Sequence, residues 1–276
     1  MSVYLVAQFT LATQLLSLGA LYILDLLRFS QFFFIVNTQM ISLILTALLM
    51  FGNRMLLTSL FSITLFSFYL LCLFDRICSS SRFNRWIIMI RRLFVFSISF
   101  LVIKFLIIKY LFSSPDDDAH IWDILKSKIF RSFQTFDTQL YTCAKEFDFL
   151  EWETVVKLCQ TGLLPLAGII LLRFLFDFLV DLFKRNSDTE RKPIWQSYHL
   201  IQTTGYILMG VMIMRLKLFP VPQLCLLISL FMNEQIWPKK FQFSEKKKWI
   251  VFVLIILGMS IQGRLNIKQQ LQLRGN

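Results

Sequence analysis

Residues Phe32–Phe74 read FFFIVNTQMISLILTALLMF-GNR-MLLTSLFSITLFSFYLLCLF. Two runs of 20 residues without a charged side chain are parted only by Gly52, Asn53 and Arg54. A helix rises about 1.5 Å per residue, so each run covers about 30 Å, the thickness of a bilayer's hydrocarbon core. The three-residue break predicts a tight helical hairpin that crosses a membrane twice.

The same pattern extends outward. Val3–Leu24 is uncharged and is followed by Asp25 and Arg28. It is too long for a cleaved signal peptide and lacks a basic n-region. After Phe74 comes a basic segment with Arg76, Arg82, Arg85, Arg91 and Arg92, then a fourth run, Leu93–Phe112, which contains Lys104 and Lys109. Further runs cover Leu158–Phe183, Pro193–Met214, Leu218–Phe231 and Trp249–Ile261. The chain is 56% hydrophobic and 17% charged, with a mean hydropathy of +0.63. A soluble domain carries about 45–50% apolar and about 25% charged residues. The difference excludes a disordered chain, a secreted disulfide mini-protein and an ordinary cytosolic enzyme. The expected fold is an all-α, polytopic integral membrane protein with about eight transmembrane helices. Residues 1–112 hold the first four spans, 113–157 a loop with amphipathic helices, 158–262 the last four spans, and 263–276 a short tail.

A net charge of +12 could signal nucleic acid, but the basic residues sit between apolar runs. That is the pattern of the positive-inside rule, so no nucleic acid is expected as a partner. Alternating sides place fifteen Lys and Arg on one face and eleven on the other, where nine acidic residues of the 113–157 loop dilute them. The first face is read as cytoplasmic, and the long loop and both termini as lumenal. The cysteines Cys72, Cys78, Cys143, Cys159 and Cys225 form no CxxC pair, so no metal site is expected from them. Cys72 and Cys225 read as small hydrophobes within spans. Trp86, Trp195, Trp237 and Trp249 fit an aromatic belt at the cytoplasmic boundary.

Several segments resemble one family, the dumpy-19-like tryptophan C-mannosyltransferases. They are FGNRMLLTS (Phe51–Ser59), DDDAHIWDILKSK (Asp116–Lys128), FDTQLYTCAKEFDFL (Phe136–Leu150), MRLKLF (Met214–Phe219) and MSIQG (Met259–Gly263). They occur in the family's order. The resemblance implies part of a GT-C type glycosyltransferase membrane domain in the endoplasmic reticulum. It implies transfer of mannose from dolichyl-phosphate-mannose to Trp in W-x-x-W sequences of acceptor polypeptides, with no further cofactor. Family members are longer, so the chain looks like a truncated vertebrate paralogue covering the middle and later membrane region. The family's catalytic carboxylate lies in an earlier loop, so the chain by itself is expected to be an incomplete enzyme. The alternative is a non-catalytic anchor or scaffold of the endoplasmic reticulum or nuclear envelope.

Two groups carry chemistry. Asp116, Asp117, Asp118 and His120 could hold a divalent ion, or supply the general base that an indole losing its proton requires. Equally, Pro115 starts a surface helix there and the acids cap its N-terminus. Asp117 and His120 are the candidate base. Arg215 and Lys217 stand where a lipid phosphate would lie. A guanidinium fork and an ammonium both suit phosphate oxygens, and both also serve as snorkelling interface anchors. The MRLKLF match favours the phosphate. Arg173, Asp177 and Asp181 recur every four residues and read as a structural intramembrane pair, and His199 as a packing or interfacial histidine.

Overall fold

A computed structural model describes residues 2–78, 85–111, 149–184, 194–233 and 249–250, with isolated positions from 253 to 272. All regular structure among the described residues is helical. The chain divides into two units, Met1–Gln134 and Thr135–Asn276.

The first unit runs α1 (Ser2–Ile23), α2 (Phe29–Leu49), a single turn α3 (Arg54–Leu57), α4 (Leu60–Ile77) and α5 (Arg85–Leu111). The links α1–α2 and α2–α4 are short, so the helices alternate up and down. α4 is central and packs against α1, α2 and α5. Lipid tails are as apolar as leucine, so burying apolar surface does little to drive helices together in a membrane. Close packing and polar contacts must do it. An aromatic ladder supplies the packing. Phe96 of α5 stacks on Phe68 of α4 at 4.4 Å, Phe68 meets Phe32 of α2 edge-on at 5.5 Å, and Phe32 stacks on Tyr22 of α1 at 4.4 Å. Phe68 lies over Gly19 of α1, where a Cβ would overlap its ring.

α4 also buries Ser62, Thr64 and Ser67. Their hydroxyls donate to the carbonyls of Leu56, Phe61 and Ile63 at 2.6, 2.9 and 2.7 Å, so no donor is stranded. Ser59 caps the helix, its Oγ accepting from the Ser62 amide at 3.2 Å. This cap is why the third apolar run does not begin its helix at Met55. Phe51 and Gly52 turn the chain with φ of 52° and 67°, α3 makes one turn, and α4 starts at Leu60.

The second unit runs α6 (Trp152–Gln160), α7 (Leu163–Lys184), α8 (Ile194–Met212), a 3₁₀ turn (Met214–Leu218), α9 (Pro220–Ser229) and a last 3₁₀ turn (Leu230–Met232). The run Leu158–Phe183 is not one helix. Gly162, at φ 73°, ends α6 before α7 begins. Leu163, Ala167, Ile170 and Phe174 of α7 form the core with Leu200 of α8 and Leu224 and Leu227 of α9. Trp195 is half-buried and meets Phe174 edge-on at 5.7 Å, so one side of its ring packs on this core. Trp86 and Trp249 are exposed, and Trp237 lies outside the described residues.

Among the described residues, four helices are long and apolar enough to cross a membrane: Phe29–Leu49, Leu60–Ile77, Arg85–Ile107 and Leu163–Leu182. Ala7–Ile23 and Leu216–Ser229 are shorter apolar helices. α8 is not among the four and carries Gln196, Ser197, His199, Gln202, Thr203 and Thr204 along its 19 residues. The described residues are therefore those of an all-helical membrane protein, with four spans evident among them from length and composition. The count of about eight rests on four further apolar runs.

Candidate functional site

The densest polar group among the described residues lies where α1 and α4 end and α5 begins. α1 stops because Asp25 adopts a left-handed conformation, φ 58°, which Asp tolerates better than most residues. The Leu26 amide then donates back to the Leu21 carbonyl at 2.9 Å. Asp75, in the last turn of α4, is buried. Its Oδ2 accepts from the Tyr22 hydroxyl at 2.5 Å and from Arg92 Nε at 2.8 Å, and its Oδ1 accepts from Arg91 Nη2 at 2.9 Å. Arg92 Nη1 donates further to the Tyr22 carbonyl at 2.9 Å and to Asp25 Oδ1 at 3.1 Å. Its guanidinium also lies 4.2 Å from the centre of the Tyr22 ring. Arg85 Nη2 donates to the Leu24 carbonyl at 3.1 Å.

The arrangement has a clear physical logic. The last carbonyls of α1 have no partners within their own helix and carry partial negative charge. Arg92 and Arg85 neutralise them from the start of α5. A buried carboxylate is tolerated only when paired and hydrogen-bonded, and Asp75 has three donors. The site ties α1, α4 and α5 together; both of its carboxylates are held by arginines or Tyr22, so its acids hold helices rather than reacting.

This cluster is not legible in the local sequence. The sequence places Arg91 and Arg92 in a basic segment before the fourth apolar run, whereas α5 begins at Arg85 and carries both inside the helix. Nothing in the local sequence marks Asp75. Its neighbours Arg76 and Cys78 gave no hint, because its partners stand 16, 17 and 53 residues away. One signal was available: an acid closing an apolar run, opposite a pair of arginines opening the next.

In the second unit, the 3₁₀ turn Met214–Leu218 carries Arg215 and Lys217. The turn folds back against the end of α8. Tyr206 stacks on Phe219 at 5.5 Å, and Gly210 leaves room for Pro220, whose Cγ would stand 2.9 Å from a Cβ at Gly210. The Leu150 amide donates to the Val211 carbonyl at 3.1 Å, so the chain entering α6 borders the same end of α8. Lys217 is half-buried. A 3₁₀ helix has three residues per turn, so positions 215 and 217 stand about 120° apart around it. Nearer the middle of α8, an open apolar groove of about 440 Å³ is lined by Leu171, Leu172, Leu175, Leu200, Ile201 and Thr204. Its nearest wall on α8, Thr204, lies roughly ten residues or about 15 Å along the helix from the turn.

Arg173 Nη1 and Asp177 Oδ1 are 3.2 Å apart on α7, the pair that the four-residue spacing implies, and the structure buries Asp177. His199 packs edge-on against Trp195 and Tyr198, with its Nδ1 3.3 Å from Gln223 Nε2 of α9. Asp116, Asp117, Asp118 and His120 lie outside the described residues, as does most of the 113–157 loop.

Comparison with known proteins gives a consistent result. Residues 2–276 match a family model described as Dpy19, Q-cell neuroblast polarisation. The C-mannosyltransferase dpy-19 of Caenorhabditis elegans is 35% identical over 97% of this chain and 39% of its own length. The human protein C-mannosyl-transferase DPY19L1 is 34% identical over 98% of this chain and 40% of its own. The human probable C-mannosyltransferase DPY19L2 is 32% identical over 98% and 36%. The chain thus spans about two fifths of the length of these curated relatives. With the family model matching from the second residue to the last, the chain belongs to the Dpy19 family.

Proposed function

We propose that this chain provides the donor-lipid wall of a C-mannosyltransferase of the endoplasmic reticulum. In that reaction the mannosyl carbon of dolichyl-phosphate-mannose is attacked by the indole carbon of a Trp in a W-x-x-W acceptor. The lipid phosphate leaves, and a base takes the proton as the ring regains aromaticity. The observation that carries the reading is the basic 3₁₀ turn at one end of α8 with an apolar groove farther along the same helix. A lipid-linked sugar phosphate needs both chemistries in that order: cations for the phosphate and an apolar surface for the isoprenoid chain. Arg215 and Lys217 are proposed as the phosphate-binding residues, and Asp117 and His120 as candidates for the base. The similarity to named C-mannosyltransferases along almost the whole chain supports the reaction class and disfavours a passive scaffold.

The test uses the chain in lipid nanodiscs with a dolichyl-phosphate-mannose analogue bearing a photoreactive group on the isoprenoid. Cross-linking is expected between residues 171 and 219. A charge-assisted hydrogen bond is worth about 1.5–3 kcal/mol, so Arg215→Ala should weaken binding roughly 10- to 150-fold. Lys217→Ala should weaken it separately, because the two positions approach from different sides of the turn. Unchanged labelling in both variants would leave the pair as interface anchors.

The proposal also fixes an orientation, with about eight spans and the 113–157 loop on the lumenal side. A glycosylation acceptor inserted beside Asp117 should be modified in microsomes, and one beside Arg82 should not. The reverse pattern would put the basic turn on the wrong side for a lumenal donor.

A further inference from the structure

We infer that the end of the first unit where α1, α4 and α5 meet binds the headgroup of an anionic phospholipid. Arg92 bridges Asp25 and Asp75, so residues flanking both acids share one end of the unit. Five arginines stand there among the described residues: Arg28, Arg76, Arg85, Arg91 and Arg92. Two carboxylates, Asp25 and Asp75, answer them, which leaves a surplus of three positive charges. The surplus is on the outside. Asp75 draws Arg91 and Arg92 inward, whereas Arg28, before α2, and Arg76, in the last turn of α4, are exposed. Arg91 Nε, buried at the edge of the cluster, has no hydrogen-bond partner, and an unmet buried donor is unfavourable until an acceptor arrives.

The surroundings select a lipid over a soluble anion. Trp86, 55% exposed, follows Arg85 directly, and amphipathic rings of this kind settle at headgroup depth. Below it, Ile87, Ile90, Leu93 and Phe94 of α5 are exposed, and Ile77, 84% exposed, follows Arg76. A cationic rim above an apolar wall is complementary to a phosphate with acyl chains, and a free phosphate would leave the wall unused. Each basic residue near an anionic membrane surface contributes about a fivefold preference. This site is independent of the proposed donor site, which lies in the other unit.

The experiment is native mass spectrometry of the full chain released from micelles doped with equal amounts of phosphatidylglycerol and phosphatidylcholine. Preferential retention of phosphatidylglycerol is expected. Arg28→Gln and Arg76→Gln should each reduce the preference about fivefold, and together roughly 30-fold, with thermal stability unchanged because neither holds the buried cluster. Arg54→Gln, at the opposite end of the unit, should leave the preference intact. Raising the salt to about 1 M should weaken retention, as the Debye length falls to about 3 Å. Equal retention of the two lipids, or a double variant that keeps the preference, would overturn the site. Full displacement by millimolar inorganic phosphate would overturn its assignment to a lipid.

Discussion

Asp75→Ala is expected to lower the thermal stability of the chain in detergent more than any other single carboxylate replacement. The side chain of Asp75 is 6% exposed and that of Arg92 12%. Removing the acid leaves Arg92 with Asp25 alone, strips Arg91 of its carboxylate, and orphans the Tyr22 hydroxyl. Breaking a buried pair from one side typically costs about 3–5 kcal/mol, because the remaining charge stays desolvated. At about 2–4 °C per kcal/mol for a chain of this size, the midpoint should fall by roughly 10 °C. Tyr22→Phe removes only one charge-assisted hydrogen bond and should cost about 1.5–3 kcal/mol. Asp75→Asn keeps an acceptor but not the charge, and should fall between the two. Unfolding followed by tryptophan fluorescence reads all three. A midpoint for Asp75→Ala within about 2 °C of the parent would show that the arginines find water or lipid instead, and that the cluster does not hold the helices.

Gly19→Val should be the most disruptive change at an apolar position. A Cβ at residue 19 would enter the Phe68 ring, and that ring has nowhere to go. It is 1% exposed, with Phe96 stacked on one face and the edge contact to Phe32 on another. Overpacking a filled site costs about 1–3 kcal/mol and sometimes more. Here it also separates α1 from α4 and so strains the Tyr22–Asp75 bond at the same interface. Phe68→Ala in the Gly19→Val background should recover part of the loss, giving a coupling of roughly 0.5–3 kcal/mol between residues in contact. Gly168 in α7 supplies the contrast, since nothing beyond its chain neighbours and its own helix backbone lies within 4 Å of a Cβ placed there. Gly168→Ala should be neutral or stabilising by up to about 1 kcal/mol, through lower helix entropy cost alone. Equal losses at Gly19 and Gly168 would mean that helix propensity, not close approach, governs both sites.

The sequence by itself determined the class of the protein. Uncharged runs of about 20 residues can satisfy their backbone in lipid only as helices. Gly52, between two such runs, marked the turn that the structure contains. The i, i+4 spacing of Arg173 and Asp177 announced their pair, because local helical geometry needs no knowledge of neighbours. The resemblance carried by short segments such as MRLKLF was enough to name the family. Boundaries were less legible. The helix after Arg54 begins at Leu60 because Ser59 and Ser62 share hydroxyl contacts with Leu56, a detail that hydropathy does not register. Gly162 divides a run that hydropathy reads as continuous for the same reason: apolarity measures the solvent, not the backbone angle.

What only the tertiary structure decided is which polar residues become interior. Asp75, Arg91 and Arg92, joined by the half-exposed Asp25, all sit at the margins of apolar runs, where water and protein are equally plausible surroundings. Burial there depends on which helix ends converge, and Arg92 reaches Asp25 across 67 residues of chain. The same holds for Gly19, an unremarked small residue in an apolar run until Phe68 is laid over it. The turn bearing Arg215 and Lys217 owes its position to Tyr206 on Phe219 and Gly210 beside Pro220, contacts made only when the chain folds back on α8. Hydropathy fixes how far a segment extends through a bilayer, and side-chain packing between segments distant in sequence fixes where its charges end up.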